Sequence, residues 1–274
     1  MERKKSGSLE ILLKGMWIGG TMTVPGVSGG SMAMILGIYG RLIASVSSLL
    51  RKPIESISFL LRFLLGAAAG MVIFSRAITW LLATSANVPL RFFFLGAVAG
   101  GVPMIYRKAG TIKPDLGAIA YPLMGILTVA MLSLLPSGLF APAEGGAAGA
   151  EAVLMQLAGG LIIAVGLVLP GISVSQMLYM LGIYESIMGN ISSLNIFPLI
   201  PLGVGVAGGT FLTAHVLEGL LERHPQPTCL IILGFMLASL PELFPGLPTG
   251  WQLPASVLAA AVGFAVLYAM SREE

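Results

Sequence analysis

One phrase occurs twice in this chain, and no other feature limits its fold as much. Pro25-Gly26-Val27-Ser28, with the run from Met32 to Tyr39 behind it, returns 145 positions later as Pro170-Gly171-Ile172-Ser173 and the run from Met177 to Tyr184. Between Pro25 and Leu49 that offset preserves eleven of 25 residues, including both Pro-Gly pairs, both Leu-Gly-Ile-Tyr runs, and Ser47-Ser48-Leu49 against Ser192-Ser193-Leu194. A nearby register of 138 aligns Pro89, Leu95, Gly96 and Pro103 with Pro227, Leu233, Gly234 and Pro241. The chain is an internal duplication, with copies at 1–140 and 150–274 and a Gly/Ala-rich linker at 141–149.

Composition decides the solvent. Hydrophobic residues make up 56% and charged residues 10%, against about 25% charged in an ordinary soluble domain. Together with a mean hydropathy of +0.94, this predicts an all-α integral membrane protein. Both copies then form a single membrane domain. The abundant Gly and Pro point to close helix packing and broken helices, which lipid tolerates only where protein or a cavity covers the freed backbone. Arg3, Lys4 and Lys5 before an apolar run imitate a signal peptide, but Lys14 interrupts the run and it leads straight into the repeated phrase, so it is kept as structure. Cys229 is alone, so no intrachain disulfide forms.

The runs predict the topology. Residues 9–24 reach only ~24 Å as a helix, short of the ~30 Å hydrocarbon core, and end at Pro25. Residues 31–50 read as one helix returning to Arg51 and Lys52, so the two make a re-entrant hairpin with a Pro-Gly-x-Ser elbow. Crossings follow at 57–82, 89–106 and 116–135. The second copy repeats the plan with a hairpin at 152–169 and 176–194 and crossings at 197–221, 227–243 and 252–270. Residues 1–145 carry 13 Lys/Arg and 5 Asp/Glu, and residues 146–274 carry 2 and 7. Most of these charges sit at the ends of apolar runs, so they report orientation and exclude a nucleic-acid footprint. Both termini are expected in the cytoplasm. Each copy, a hairpin plus three crossings, then has an odd number of spans, which inverts the second relative to the first. Inverted repeats with broken helices are the architecture of secondary transporters, with the substrate site at the repeat interface.

Candidate chemistry sits at the elbows and at a few intramembrane charges. Pro ends one helix, Gly relaxes the backbone, and Ser can cap the next helix, so each elbow offers amides to an anion. Gly26, Ser28, Gly29, Gly30 and Ser31 form the richer version, and Gly171, Ser173 and Ser175 the plainer one; helix-break geometry alone is the alternative for each. Arg41, Arg62, Arg76 and Arg91 fall in or near apolar runs. A guanidinium there is costly and is the preferred partner of phosphate, although snorkelling to headgroups or pairing with Glu would also account for it. His215 and Glu218, with Glu222 at the helix end, share one helix face; the first two suit proton or sodium coupling or a structural ion pair. Glu185 follows the second Tyr and is a further coupling candidate. Tyr39 and Tyr184 suit packing. No nucleotide-phosphate loop, metal cluster or nucleophile with a nearby base is present in the sequence, so neither an enzyme nor a cofactor is expected.

Pro25-Gly26-Val27-Ser28-Gly29-Gly30-Ser31 with Leu36-Gly37-Ile38-Tyr39, and their second copy, resemble a bacterial and archaeal membrane family associated with polyprenyl-phosphate translocation, the PopT type. The resemblance covers essentially the whole chain. It implies return of undecaprenyl phosphate, the carrier lipid of cell-wall synthesis, from the outer to the cytoplasmic leaflet of the plasma membrane. Two departures, Val174 where the family pattern has Gly and Gly40 where an acidic residue is common, make the first elbow the expected phosphate cradle. A carrier of another anion or solute, a membrane lipid pyrophosphate phosphatase, and a scaffold are the alternatives.

Overall fold

The computed structural model describes residues 7–24, 27–110, 116–134, 150–172, 174, 177–178, 181–193, 195 and 197–270. The linker 141–149 and the candidates Gly26, Ser173 and Ser175 lie outside them. Every described element is helical. The first copy contains α1 (Ser8–Thr21), α2 (Gly29–Ile35), α3 (Tyr39–Ser47), α4 (Pro53–Ala83), α5 (Asn87–Lys108) and α6 (Leu116–Ser133). The second contains α7 (Ala150–Val168), α8 (Tyr184–Ser192), α9 (Ile200–Arg223) after a 3-10 turn at Phe197–Leu199, α10 (Pro225–Ala238), α11 (Leu240–Leu243) and α12 (Gln252–Met270). Among the described residues five helical stretches are long and apolar enough to cross a membrane, and α2 with α3 makes a sixth if counted as one broken span. The chain is a multi-pass membrane protein.

The continuous helix expected over 31–50 is corrected. It breaks between α2 and α3, whose axes differ by 114°. The cause is the repeated Leu-Gly-Ile run. Gly37 has φ +68, its N–H donates to the Met34 carbonyl at 3.1 Å, and the Ile38 N–H donates to the Ala33 carbonyl at 3.0 Å. This pair of bonds is a Schellman cap, which closes a helix with a left-handed residue. The second copy builds the same cap: Gly182 has φ +71 and the Ile183 N–H donates to the Leu178 carbonyl at 3.1 Å. The repeated glycine is a helix stop in both places.

Glycines also set which helices lie together, because a missing Cβ lets two backbones touch. On α1 and α4, a Cβ at Gly15 would strike the Phe63 carbonyl, at Gly19 that of Ala67, at Gly66 that of Leu12, and at Gly70 that of Met16. Contact positions rise together, so the two helices run in the same direction. The stretch between them turns back: the Arg41 guanidinium lies 4.6 Å over the Phe59 ring, and Ser48 Oγ is 3.1 Å from Ser56 Oγ. The chain thus returns to the end of α4 beside which α1 began. α7 and α9 repeat the parallel pairing, through Gly205 against Leu157 and Gly209 against Leu161.

The remaining helices exchange partners between copies. A Cβ at Gly96 on α5 would meet the Ala260 carbonyl of α12, and one at Gly263 the Phe93 carbonyl. Shifted by 138 positions, the same contacts recur: Gly234 on α10 against Pro122 of α6, and Gly125 against Ile231. Gly100 meets the Phe264 carbonyl, four residues beyond the Gly96–Ala260 contact, so positions rise together and α5 runs alongside α12 in one direction; the matching contacts give α6 the same relation to α10. At one end Gln252 Nε2 donates to the Ser85 carbonyl at 3.1 Å. The indoles of Trp80 and Trp251 stand exposed near that contact, as aromatic residues do at a membrane interface. The main core lies between the copies, joining α1, α2, α3 and α5 to α9, α10 and α12.

Candidate functional site

The two elbows meet. The Gly171 N–H donates to Ser28 Oγ at 3.3 Å, and a Cβ at Gly30 would lie 3.1 Å from Pro170 Cα and 3.5 Å from Pro170 Cβ. The sequence places these residues at least 140 positions apart, and the packing of the copies brings them together. Gly171 holds φ +82, a conformation that side-chain-bearing residues resist. A second bond locks the same junction: buried Tyr39, directly after the first cap, donates its hydroxyl to the Val168 carbonyl at 2.7 Å. Pro170 brings α7 to an end there, and a helix end leaves its last carbonyls without intrahelical donors. The packing role expected of Tyr39 is met, and its hydrogen bond explains why a Tyr serves there.

Ser28 does not cap α2, contrary to expectation. It occupies the N-cap position with extended backbone, but its side chain makes no cap bond, because its oxygen is turned to Gly171. Ser31 is 3% exposed, and its hydroxyl has no hydrogen-bond partner among the described residues. Burying a hydroxyl unpaired costs about 1–3 kcal/mol. The junction thus holds an unused polar group beside backbone amides, inside an apolar core.

The four candidate arginines are spread over α3, α4 and α5. Arg41 stacks on Phe59 at the α3–α4 contact. Arg91 Nε donates to Asn87 Oδ1 at 3.0 Å, one turn earlier on α5. Arg62 and Arg76 both project from the exposed side of α4, separated along its axis by ~21 Å. None of the four lies within 4.0 Å of a carboxylate among the described residues, and no hydrogen bond to the elbows is formed by them there.

The expected pairing of His215 or Glu218 with an arginine is likewise not formed among the described residues. His215 Nδ1 instead lies 2.8 Å from Ser47 Oγ, which joins α9 of the second copy to α3 of the first. Glu218 is half-buried on the same helix and Glu185 is exposed on α8. Ser47 was not singled out by sequence reasoning, although its preservation at Ser192 was the available signal. Glu10, Lys14 and Trp17 were also missed as a group; they line a cavity of about 670 Å³ along α1.

Comparison with known proteins finds relatives along most of the chain. Residues 18–256 match a family described as undecaprenyl phosphate translocase-like. The chain is 31% identical to a polyprenyl-phosphate transporter of Staphylococcus aureus, across 95% of each chain. It is 28% identical to a polyprenyl-phosphate transporter of Vibrio cholerae, across 93% of this chain and 84% of that one. No solved structure matches. With the match spanning most of the sequence, this duplicated, multi-pass chain belongs to the undecaprenyl phosphate translocase-like family.

Proposed function

We propose that this protein carries polyprenyl phosphate across the plasma membrane, from the outer to the cytoplasmic leaflet, and that the headgroup crosses at the junction of the two elbows. The observation that carries this is the contact itself: Ser28 and Gly171 joined by a weak 3.3 Å bond, beside the unpartnered, buried Ser31 hydroxyl. A phosphate entering between the elbows would take over the Gly171 amide and both hydroxyls without leaving polar groups orphaned. Gly26, Gly29 and Gly30 let backbone approach it, with Ser173 and Ser175 contributing from the second copy.

An inverted arrangement of the copies supports alternating access. α1 and α4 run together, as do α7 and α9; α5 runs with α12 and α6 with α10. Short connections at Thr84–Ala86 and His224 reverse the chain between α4 and α5 and between α9 and α10. The end of α5 also meets the start of α6, where the Tyr106 hydroxyl donates to the Ala118 carbonyl at 3.4 Å, which favours opposed directions for α5 and α6, and hence for α5 and its counterpart α10, the relation an inverted repeat requires. The basic loops support a cytoplasmic location for both termini. On α4 the ~21 Å between Arg62 and Arg76 lets each guanidinium snorkel to an opposite headgroup layer. Arg76 and Arg91 then collect lipid phosphate at the outer face, and Arg41 and Arg62 receive it at the inner face. Glu218 and His215, with Glu185, couple the cycle to protons or sodium.

The test is binding in nanodiscs. The protein should bind undecaprenyl phosphate over undecaprenol, and Ser28→Ala with Ser31→Ala should weaken that preference by about tenfold. An unchanged preference in the double variant would remove the elbows from the site. Undecaprenyl pyrophosphate should release no phosphate, and its hydrolysis would favour an enzyme.

A further inference from the structure

The two copies are built alike, but their hairpin helices are not packed alike. α3 of the first copy packs on α9 of the second. Its buried face is Tyr39, Ile43 and Ser47, one residue per turn. Ile43 shares a core with Ala214 and Leu217 of α9, and Ser47 Oγ lies 2.8 Å from His215 Nδ1. The same face of α8 carries Tyr184, Met188 and Ser192. Met188 is 38% exposed where Ile43 is 5%. Among the described residues α8 packs on the 3-10 turn of its own copy and has no comparable packing on α4.

The duplication says what the open face of α8 fits. A Cβ at Gly66 on α4 meets Leu12, and one at Gly205 on α9 meets Leu157; Gly70 and Gly209 do the same with Met16 and Leu161. Leu12 and Leu157 are 145 positions apart, as are Met16 and Leu161, which is the offset of the elbows. The glycines that meet them are 139 apart, so α9 corresponds to α4 at that offset. Gly15 against Phe63 and Gly160 against Leu202 give the same value. The counterpart of His215 is therefore Arg76, and those of Ala214 and Leu217 are Ser75 and Ile78. Ser75 and Ile78 are half-buried and Arg76 is exposed, whereas Ala214 and Leu217 are buried. Depth agrees too: His215 stands ~12 Å before the Arg223 end of its helix and Arg76 ~10 Å before the Ala83 end of its own.

We propose that α3 and α8 are exchanging gates, one for each membrane face, and that α8 closes on α4 when α3 leaves α9. The inference rests on the reading of this chain as a transporter with inverted copies. In the arrangement described here the inner gate is shut and the outer one stands open. Closure would seat Met188 against Ser75 and Ile78 and bring the end of α8, at Ser192, to Arg76. Arg76 is the residue assigned above to collect the headgroup at the outer face, so closing that gate drives the headgroup inward.

Crosslinking in proteoliposomes reads both gates without any substrate lipid. In a Cys229→Ala background a short bismaleimide should join Ser47→Cys to His215→Cys, and in a separate chain Ser192→Cys to Arg76→Cys. Met188→Cys with Ile78→Cys, the counterparts of Ile43 and Leu217, tests the outer gate with Arg76 intact. Ser47→Ala removes the inner latch, and should raise the initial crosslinking rate of either outer pair about threefold, the population shift expected for one hydrogen bond within a membrane. Outer pairs that never join, in chains that elute like the wild type on size-exclusion chromatography, would make the asymmetry permanent and overturn the proposal. An outer rate unmoved by Ser47→Ala would uncouple the gates and overturn it as well. A wild type that carries no undecaprenyl phosphate would instead refute the function proposed above, and crosslinking would still decide the gates.

Discussion

Alanine at Gly37 and at Gly40, three residues apart, should change stability in opposite directions. Gly37 holds φ +68 in the cap that ends α2. A left-handed conformation costs an L-residue about 1–2 kcal/mol, and Ala regains about 0.4–1 kcal/mol by restricting the unfolded chain. Gly37→Ala is therefore destabilising by about 1 kcal/mol. Gly40 lies in the first turn of α3, and a Cβ there meets nothing within 4 Å. Gly40→Ala should stabilise by up to about 1 kcal/mol. Because Gly182 holds φ +71 in the same cap, Gly182→Ala should match Gly37→Ala. Thermal unfolding in detergent, followed by tryptophan fluorescence, should place the Gly37 and Gly182 variants about 2–4 °C below the wild type. The Gly40 variant should lie at or above it. If Gly37→Ala and Gly40→Ala shift the midpoint the same way, or Gly182→Ala is neutral, the shared cap is not what the repeated Leu-Gly-Ile run encodes.

Three further outcomes follow from the contacts between copies. Tyr39→Phe removes the 2.7 Å bond to the Val168 carbonyl and should lower stability by about 1–2 kcal/mol, measured by the same unfolding assay. Ser47→Ala and His215→Ala each remove one side of a single bond, so a double-mutant cycle should return a coupling of about 0.6 kcal/mol, and independent effects would contradict it. Gly96→Val and Gly234→Val each drive a side chain into a backbone carbonyl of the facing helix and should abolish folded yield on size-exclusion chromatography. Gly203→Val, where a Cβ meets nothing within 4 Å, should be tolerated.

Which parts of this architecture were legible before folding depends on the kind of residue that writes them. The elbows and their repetition were plain, because Pro-Gly pairs and Gly-Ile-Tyr runs are rare words in an apolar text. The break at Gly37 was not. Met32 to Leu49 is apolar enough that hydropathy reads through it, and only the sign of φ turns a glycine into a stop. Gly96 and Gly234 stood out as matched landmarks, yet Gly263 and Gly125 on the facing helices did not, since hydropathy says that a run lies in lipid and not which run lies beside it. Ser28 illustrates the same limit. Its local chemistry favours a cap, and a backbone amide from the other copy outcompetes that cap.

The central claim, that the headgroup passes where the elbows meet, can be tested by fastening them together. A Cβ at Gly30 lies 3.5 Å from that of Pro170, within the range a disulfide spans, about 3.5–4.5 Å. Proteoliposomes carrying Gly30→Cys with Pro170→Cys should translocate undecaprenyl phosphate when reduced and stop when oxidised, and reductant should restore transport. Equal rates in the two states would show that the elbows never part, and the junction would not be the path.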